Sequence, residues 1–316
     1  MIKKYKIYII IILAVSSILL IKKDAKKSTI DGAIIAVLNQ SDIAKIFMAD
    51  RQGQTITLTK NKDNWIINNK YQVRKDAITV LLNTISEIRV KRTVPLIHEE
   101  NIIKELAALG VKIEIYDESK LMKSYTIGNT TEDYLGTYML LDHHERPFIT
   151  HIPSHNGFLG PRYGISVNAI NVNNWRDINI FQLNKNEINN ISIKHFRESK
   201  SSFFLNVDSL RLFDVNNKII ELDTLLMKKY LNIFRDLNCE AFKNEKTQIE
   251  GVSPIHELIV NNDTLHTYPI DFDGVKTKDE NFNVRRMYAT LNNGDLMLIQ
   301  TNVFNKVLIT INELKK

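Results

Sequence analysis

Half of the chain's eight histidines, His143, His144, His151 and His155, fall in one short stretch, and "LDHHERP" adds Asp142 and Glu145 beside them. Imidazole and carboxylate are the ligands of zinc and other borderline metals. This stretch is therefore where a metal-activated water, and with it a hydrolase, is to be sought. The spacing fits no standard metal motif. Asp142 to Pro147 reads as a hairpin turn, where polar side chains are simply solvated. His151 falls on a strand of alternating polarity and His155 in the segment after it. A metal centre needs side chains that converge, and spacing alone does not supply convergence.

The other reactive groups give less. Glu132 and Asp133 in "NTTEDY" could pair as acid and base only if their surroundings held the two pKa values apart, and a polar loop does not do that. Asp271, Asp273 and Gly274 in "DFDGVKTKDEN" begin like a calcium loop, but the bidentate Glu and the flanking helices are missing. The single cysteine, Cys239, sits among apolar residues in "FRDLNCEAF", the setting of a buried, inert thiol. Gly157, Gly160 and Gly164 around Pro161 make a turn-rich segment. It lacks the Lys-Ser/Thr ending of a phosphate-cradling loop. No nucleophile elbow occurs. No residue is thus expected to be catalytic or to bind a cofactor, and no cofactor is expected. The alternative is a membrane-tethered metal-dependent hydrolase built on the 143–155 histidines.

Two similar sets of elements must carry these groups. "IAKIFMAD" and "QTITLT" are rich in β-branched residues, and "NWIINNKYQV" follows. Ile78, Leu81, Leu82, Ile85 and Ile88 then share one face at helical spacing, with Asp76 placed to cap that helix. "IHEENIIKELAAL" is a second helix that stops at Gly110. Four strands follow: "VKIEIYD", "MKSYTIG", "GTYMLLD" and "FITHIP". From Ile188 the order repeats, with strands, a helix capped by Asp223, then a meander ending in "KVLITI". Ile43 matches Ile188, Asp76 matches Asp223, "SYTIG" matches "TYPID", and Tyr138 matches Tyr288. The fold class is α+β, with two related units of antiparallel strands carrying one or two helices each. The expected bounds are an anchor at 1–27, a linker at 28–42, a first unit at 43–153, a Gly/Asn-rich connector at 154–187 and a second unit at 188–316. Exposed sheet edges in such units offer a partner strand a place to add.

The anchor follows from the first residues. No charge falls between Ile7 and Ile21, about 22 Å of helix, and a full span takes roughly 20 apolar residues. Tyr5 and Tyr8 suit the headgroup boundary, and Lys6, Lys22 and Lys23 reach outward along their stems. No small-residue cleavage pattern or lipid-accepting cysteine follows. Ile7, Ile10, Leu13, Leu20 and Ile21 are thus expected to stay in lipid as a single transmembrane helix, with the N-terminus cytoplasmic and the body outside the cytoplasm. Seven of the chain's 42 Lys and Arg, and one of its 36 Asp and Glu, lie within residues 1–27, so the body is balanced in charge. That sets nucleic acid aside as a partner, since a binder carries a basic patch in its folded part.

"DNWIINNKYQVRKDAITVLLNTISEIRV" and "IGNTTEDYLGTYMLL…PFITHIPSHNGFLGPRY", with the short anchor, resemble the bacterial domain-of-unknown-function 4340 family. The likeness rests on the Trp65 strand, the helix after Asp76, the Ile127-Gly128-Asn129 turn and the Gly157-Phe158-Leu159 segment. It covers most of residues 43–180 and the second half loosely. It implies a membrane-associated envelope protein, in some relatives beside components of ABC-type transporters or gliding machinery. No catalytic residues are established for that family. Residues and resemblance together lead to an expected non-enzymatic binding or scaffolding module of the envelope, with a protein partner there and lipid around its N-terminal helix.

Overall fold

The computed structural model describes residues 35–243, 246–270 and 285–316. They form two compact units divided between Asp177 and Ile178. Ile7, Ile10, Leu13, Leu20 and Ile21 lie outside the described residues. Among the described residues no helix is long and apolar enough to cross a membrane.

The first unit is built on β1 (Lys45–Ala49), β2 (Thr55–Asn61), β3 (Asn64–Ile67), β4 (Tyr71–Gln72), β5 (Arg89–Thr93), β6 (Val111–Tyr116), β7 (Leu121–Thr130), β8 (Thr137–Leu141) and β9 (Phe148–His151). They make one antiparallel sheet in the order β4-β3-β2-β1-β6-β7-β8-β9-β5. Alternation sends Ile46, Met48, Ile56, Leu58, Ile113 and Ile115 to one buried face. The helix Lys75–Glu87 covers that face with Ile78, Leu81 and Ile85. The helix Leu96–Leu109 covers the opposite face, where Ile102 and Leu106 meet Ile149, Tyr138 and Leu140. Gly128 makes that second docking possible, because a Cβ there would stand 2.5 Å from Leu106 Cδ2. Gly110 ends the helix without adopting the left-handed conformation; its missing side chain leaves room for the Leu106 carbonyl and Thr126.

Residues 152–177 return across the first buried face as a strap. A short hairpin of β10 (Ile165–Ser166) and β11 (Ala169–Ile170) lies within it. Leu159, Tyr163, Ile170 and Trp175 enter the core. The Tyr125 and Tyr163 hydroxyls meet at 2.8 Å, and the Ile170 N–H donates to Asp50 Oδ2 at 3.1 Å. The strap ends on the β4 side, where the Arg74 N–H donates to the Trp175 carbonyl at 2.9 Å and the Asp177 N–H to the Gln72 carbonyl at 2.7 Å. The expected connector at 154–187 is therefore divided. Its first part, through Asp177, belongs to the first core, whereas Ile180 and Phe181 belong to the second.

The second unit repeats the plan. Its main sheet comprises β13 (Asn190–His195), β14 (Phe203–Asn206), β15 (Arg211–Asp214), β16 (Ile219–Ile220), β18 (Ala241–Phe242), β19 (His256–Val260), β20 (Asp263–Tyr268), β21 (Arg286–Leu291) and β22 (Leu296–Gln300). The order β16-β15-β14-β13-β19-β20-β21-β22-β18 is that of the first sheet, strand for strand. A small side ladder joins β12 (Asn179–Phe181) to β17 (Leu237–Asn238). The registers agree too: Ile46 lies between Leu58 and Ile115, and Ile191 between Leu205 and Val260. The strap recurs as residues 301–316, with the Asp223 N–H on the Leu314 carbonyl at 2.8 Å and the Lys316 N–H on the Glu221 carbonyl at 3.1 Å.

Two expected matches shift under these registers. Tyr125 lies between Ile113 and Leu141, and its counterpart between Leu258 and Leu291 is Leu265, three residues before Tyr268. Asp76 is not a cap. Arg74 holds the N-cap position and makes no side-chain cap, and Asp76 sits in the first turn. The strap bonds make Arg74, not Asp76, the counterpart of Asp223, whose Oδ1 accepts from the Leu225 and Leu226 N–H groups at 2.8 and 3.0 Å. Tyr138 and Tyr288 do match.

One helix has no counterpart. Between β18 and β19 the second unit makes a short 3-10 turn, Thr247–Ile249, where the first has Leu96–Leu109. Tyr268 stands at the ladder position of Gly128, so a side chain is present where the first unit has none against its helix. Removing the true cap by Asp223→Ala should cost about 1 kcal/mol, a fall of roughly 3 °C in the melting temperature of the full chain. Asp76→Ala loses an exposed ion pair and weak contacts to the first-turn N–H groups, and should move the melt by less than about 1 °C. Thermal unfolding followed by circular dichroism checks the pair.

Candidate binding cleft

The four histidines of the first unit do not converge. His143 and His144 stand exposed in the β8–β9 turn, whereas His151 is the last residue of β9 and His155 lies beyond it. The strand between them is about 13 Å long. Asp142 instead pairs with the Lys112 ammonium, and Glu145 is exposed. Among the described residues no three His, Cys, Asp or Glu side chains are grouped to hold a metal. Asp133 is spent on its own turn. Its carboxylate accepts from the Thr131 hydroxyl and the Leu135 N–H, and these, the hydroxyl first, hold it below the usual carboxylate range. Asp271, Asp273 and Gly274 lie outside the described residues. Cys239 is buried.

The second unit holds a histidine pair that the sequence did not single out. His195 and His256 face each other across β13 and β19, ring centroids 5.2 Å apart. His195 Nε2 lies 3.0 Å from the Ile309 carbonyl, so that nitrogen carries the proton. This contact ties the second strap to the sheet at the ladder position where Asp50 ties the first. His256 Nδ1 meets the Thr267 hydroxyl at 2.8 Å. Burial first, then His195 and Arg197, push the His256 pKa down to about 4. The unfolded chain, with a histidine near 6.5, binds the proton more readily than the folded one. Stability is therefore full above about pH 6.5 and falls as the pH drops from there toward about 4. His256→Gln should flatten this part of the melting-temperature profile, measured between pH 7.5 and 4.5, without steepening it elsewhere.

A cleft of about 400 Å³ opens in the first unit between the start of helix Lys75–Glu87 and the strap. Helix residues Asp76, Ala77 and Val80 form one wall and strap residues Arg162, Gly164 and Ile165 another, with Arg74 and Trp175 also lining it. Arg74 grips Asp76 with Nε at 3.0 Å and Nη2 at 2.7 Å, and this guanidinium holds the Asp76 carboxyl low. Arg162 rises from the turn Gly160–Tyr163, and its Nε donates to Thr84 Oγ1 at 2.8 Å. Gly164 must be glycine twice over. Its φ is +66°, and a Cβ would stand 2.7 Å from Trp175 Nε1. Trp175 is 2% exposed, and its indole N–H has no partner among the described residues.

The two sheets also differ on the face away from the straps. In the second, Ile219, Phe213 and Phe204 lie side by side across β16, β15 and β14, followed by Ser192 and Ile259. Phe204 and Phe213 rings are 5.9 Å apart, and Ile219 and Phe204 are 60% and 39% exposed. The first sheet has Lys70, Asn68, Thr57, Phe47 and Glu114 at these positions. Neither feature rests on a motif. Each would have emerged from the sequence only with the two copies set in the strap-defined register. No protein-family model, curated protein or solved structure matches the chain.

Proposed function

We propose that the chain is a non-catalytic binding and scaffolding protein of the bacterial cell envelope, tethered through Ile7–Ile21 with its body outside the cytoplasm. The observation that carries this reading is the apolar row Ile219–Phe213–Phe204. The second copy presents it where the first presents Lys70, Asn68 and Thr57. Scattered exposed apolar residues are ordinary, but a contiguous row on a sheet face marks a contact surface. The occupant is an apolar face of an envelope protein. The permease of an ABC-type exporter is the partner that the family resemblance would imply.

The sheet edges favour face docking over strand addition. β4, β16 and β18 are two residues long. β5 carries Arg89, Lys91 and Arg92 and a register shift between Val90 and Arg92. Short, charged and bulged edges resist pairing with another chain.

A photo-crosslinking residue placed at Phe204 in cells should give a discrete heavier product. The same residue at Thr57, the matching site in the first copy, should give none. Ile219→Lys, which copies Lys70, should abolish the product. Equal labelling at both sites would sink the docking surface. The tether has its own check: the full chain should resist alkaline extraction from membranes, and deletion of residues 1–27 should release it.

A further inference from the structure

We infer that the first unit binds a carboxylate carried on a small apolar body, such as an acylated amino acid or the last residue of a peptide, in the cleft between helix Lys75–Glu87 and the strap. The inference is independent of the docking row and of the tether. It starts from the duplication. Arg74 and Asp223 hold the same place in the two copies, each donating its N–H to the strap, at 2.9 Å to the Trp175 carbonyl and at 2.8 Å to the Leu314 carbonyl. In the second copy the Asp223 carboxylate sits over the first turn of its helix and takes two backbone N–H groups. The first copy puts a guanidinium there instead and leaves its helix with no cap from that position. The cleft opens at the point where the second copy has its carboxylate. A helix N-terminus favours negative charge through its free N–H groups and its dipole.

Two further observations point to the same ligand, and Trp175 supplies a reporter for it. Arg162 is fixed through Nε by Thr84, which leaves its two terminal nitrogens for a ligand, and a guanidinium held in this way suits a carboxylate in two-point contact. No carboxylate among the described residues bridges it. Trp175, buried to 98% of its surface, lines the cleft beside Gly164; its indole N–H is covered by that glycine and has no acceptor among the described residues, so it reports on this wall rather than offering an open contact. Such a buried donor without an acceptor is uncommon. The remaining walls, Ala77, Val80, Pro161 and Ile165, are apolar, and the volume is within the range of small-ligand sites. Asp76 is the internal competitor. It holds Arg74 in an ion pair whose side chains are 34% and 70% exposed, and exposed pairs contribute little. An incoming carboxylate takes Arg74 from Asp76 and leaves Asp76 in water.

The test uses the full chain in detergent with its two tryptophans, Trp65 and Trp175, labelled with ¹⁵N at the indole. Trp65→Phe assigns the Trp175 signal. N-acetyl-leucine and a tripeptide ending in leucine serve as probes, each beside its amide. The Trp175 signal should move on titration with at least one acid and with neither amide, and which acid acts tells a free acyl amino acid from a peptide end. Arg162→Gln should weaken binding at least tenfold. Arg74→Asp, which installs the cap of the second copy, should abolish binding while the protein melts no lower than before. An amide that binds as well as its acid, a Trp175 signal unmoved by either acid at millimolar concentration, or an Arg74→Asp chain that binds normally would each overturn the inference.

Discussion

The apolar face of a nine-stranded sheet is too large for one short helix to cover, and each unit meets this by bringing its own chain end back across it. The strap is fastened by main-chain bonds beside the start of the helix, Arg74 to Trp175 in one copy and Asp223 to Leu314 in the other. Polar anchors lie beneath it. In the first copy these are the Tyr125–Tyr163 hydroxyl pair and the Asp50 contact to Ile170; in the second, the Tyr230 hydroxyl on the Val307 carbonyl and His195 on Ile309. The anchors differ in chemistry, but the requirement does not: backbone groups buried under the strap must find partners. Helix packing, the cleft and the order of the sheet all presuppose that closure.

The likeness of the two units separates what the fold requires from what differs between them. Positions facing the straps stayed apolar in both, as Ile46 and Ile191 or Leu58 and Leu205 show. Positions facing away diverged. Gly128 admits a helix where the second unit has Tyr268, and Lys70 guards an edge where Ile219 is bare; beside the strap, Arg74 reverses the charge of Asp223. The differences concentrate on surfaces that could meet another molecule, while the framework beneath them is held by close packing.

Much of this frame was legible in the residues. The alternation of "IAKIFMAD" and "VKIEIYD" and the helical spacing from Ile78 to Ile85 are local signals, and the structure follows them. The repeat could be read for the same reason, with Tyr138 and Tyr288 in true register. Asp76 misled because an acid before an apolar run resembles a cap, whereas the real N-cap is set by a bond from the distant strap. "SYTIG" slipped against "TYPID" because β19 and β20 are joined by a tighter turn, Val260 opposite Asp263, than β6 and β7, which pass through a register irregularity. The connector was misjudged because only the three-dimensional core shows which unit buries Trp175. The cleft was invisible for a related reason: Arg74 and Arg162 are brought to one cleft by a strap that no local periodicity describes. The histidine stretch was the reverse case, close in sequence and kept apart by a strand.

The placement of the straps sets an order of assembly. Every residue that closes the first sheet has been made once Asp177 is joined, so that unit can finish while the ribosome still works on the second. The second sheet closes on Leu314 to Lys316, so its large apolar face stays open through almost all of its own synthesis. Any chaperone or translocation machinery that handles this chain meets the first unit closed while the second still lacks the residues that close it.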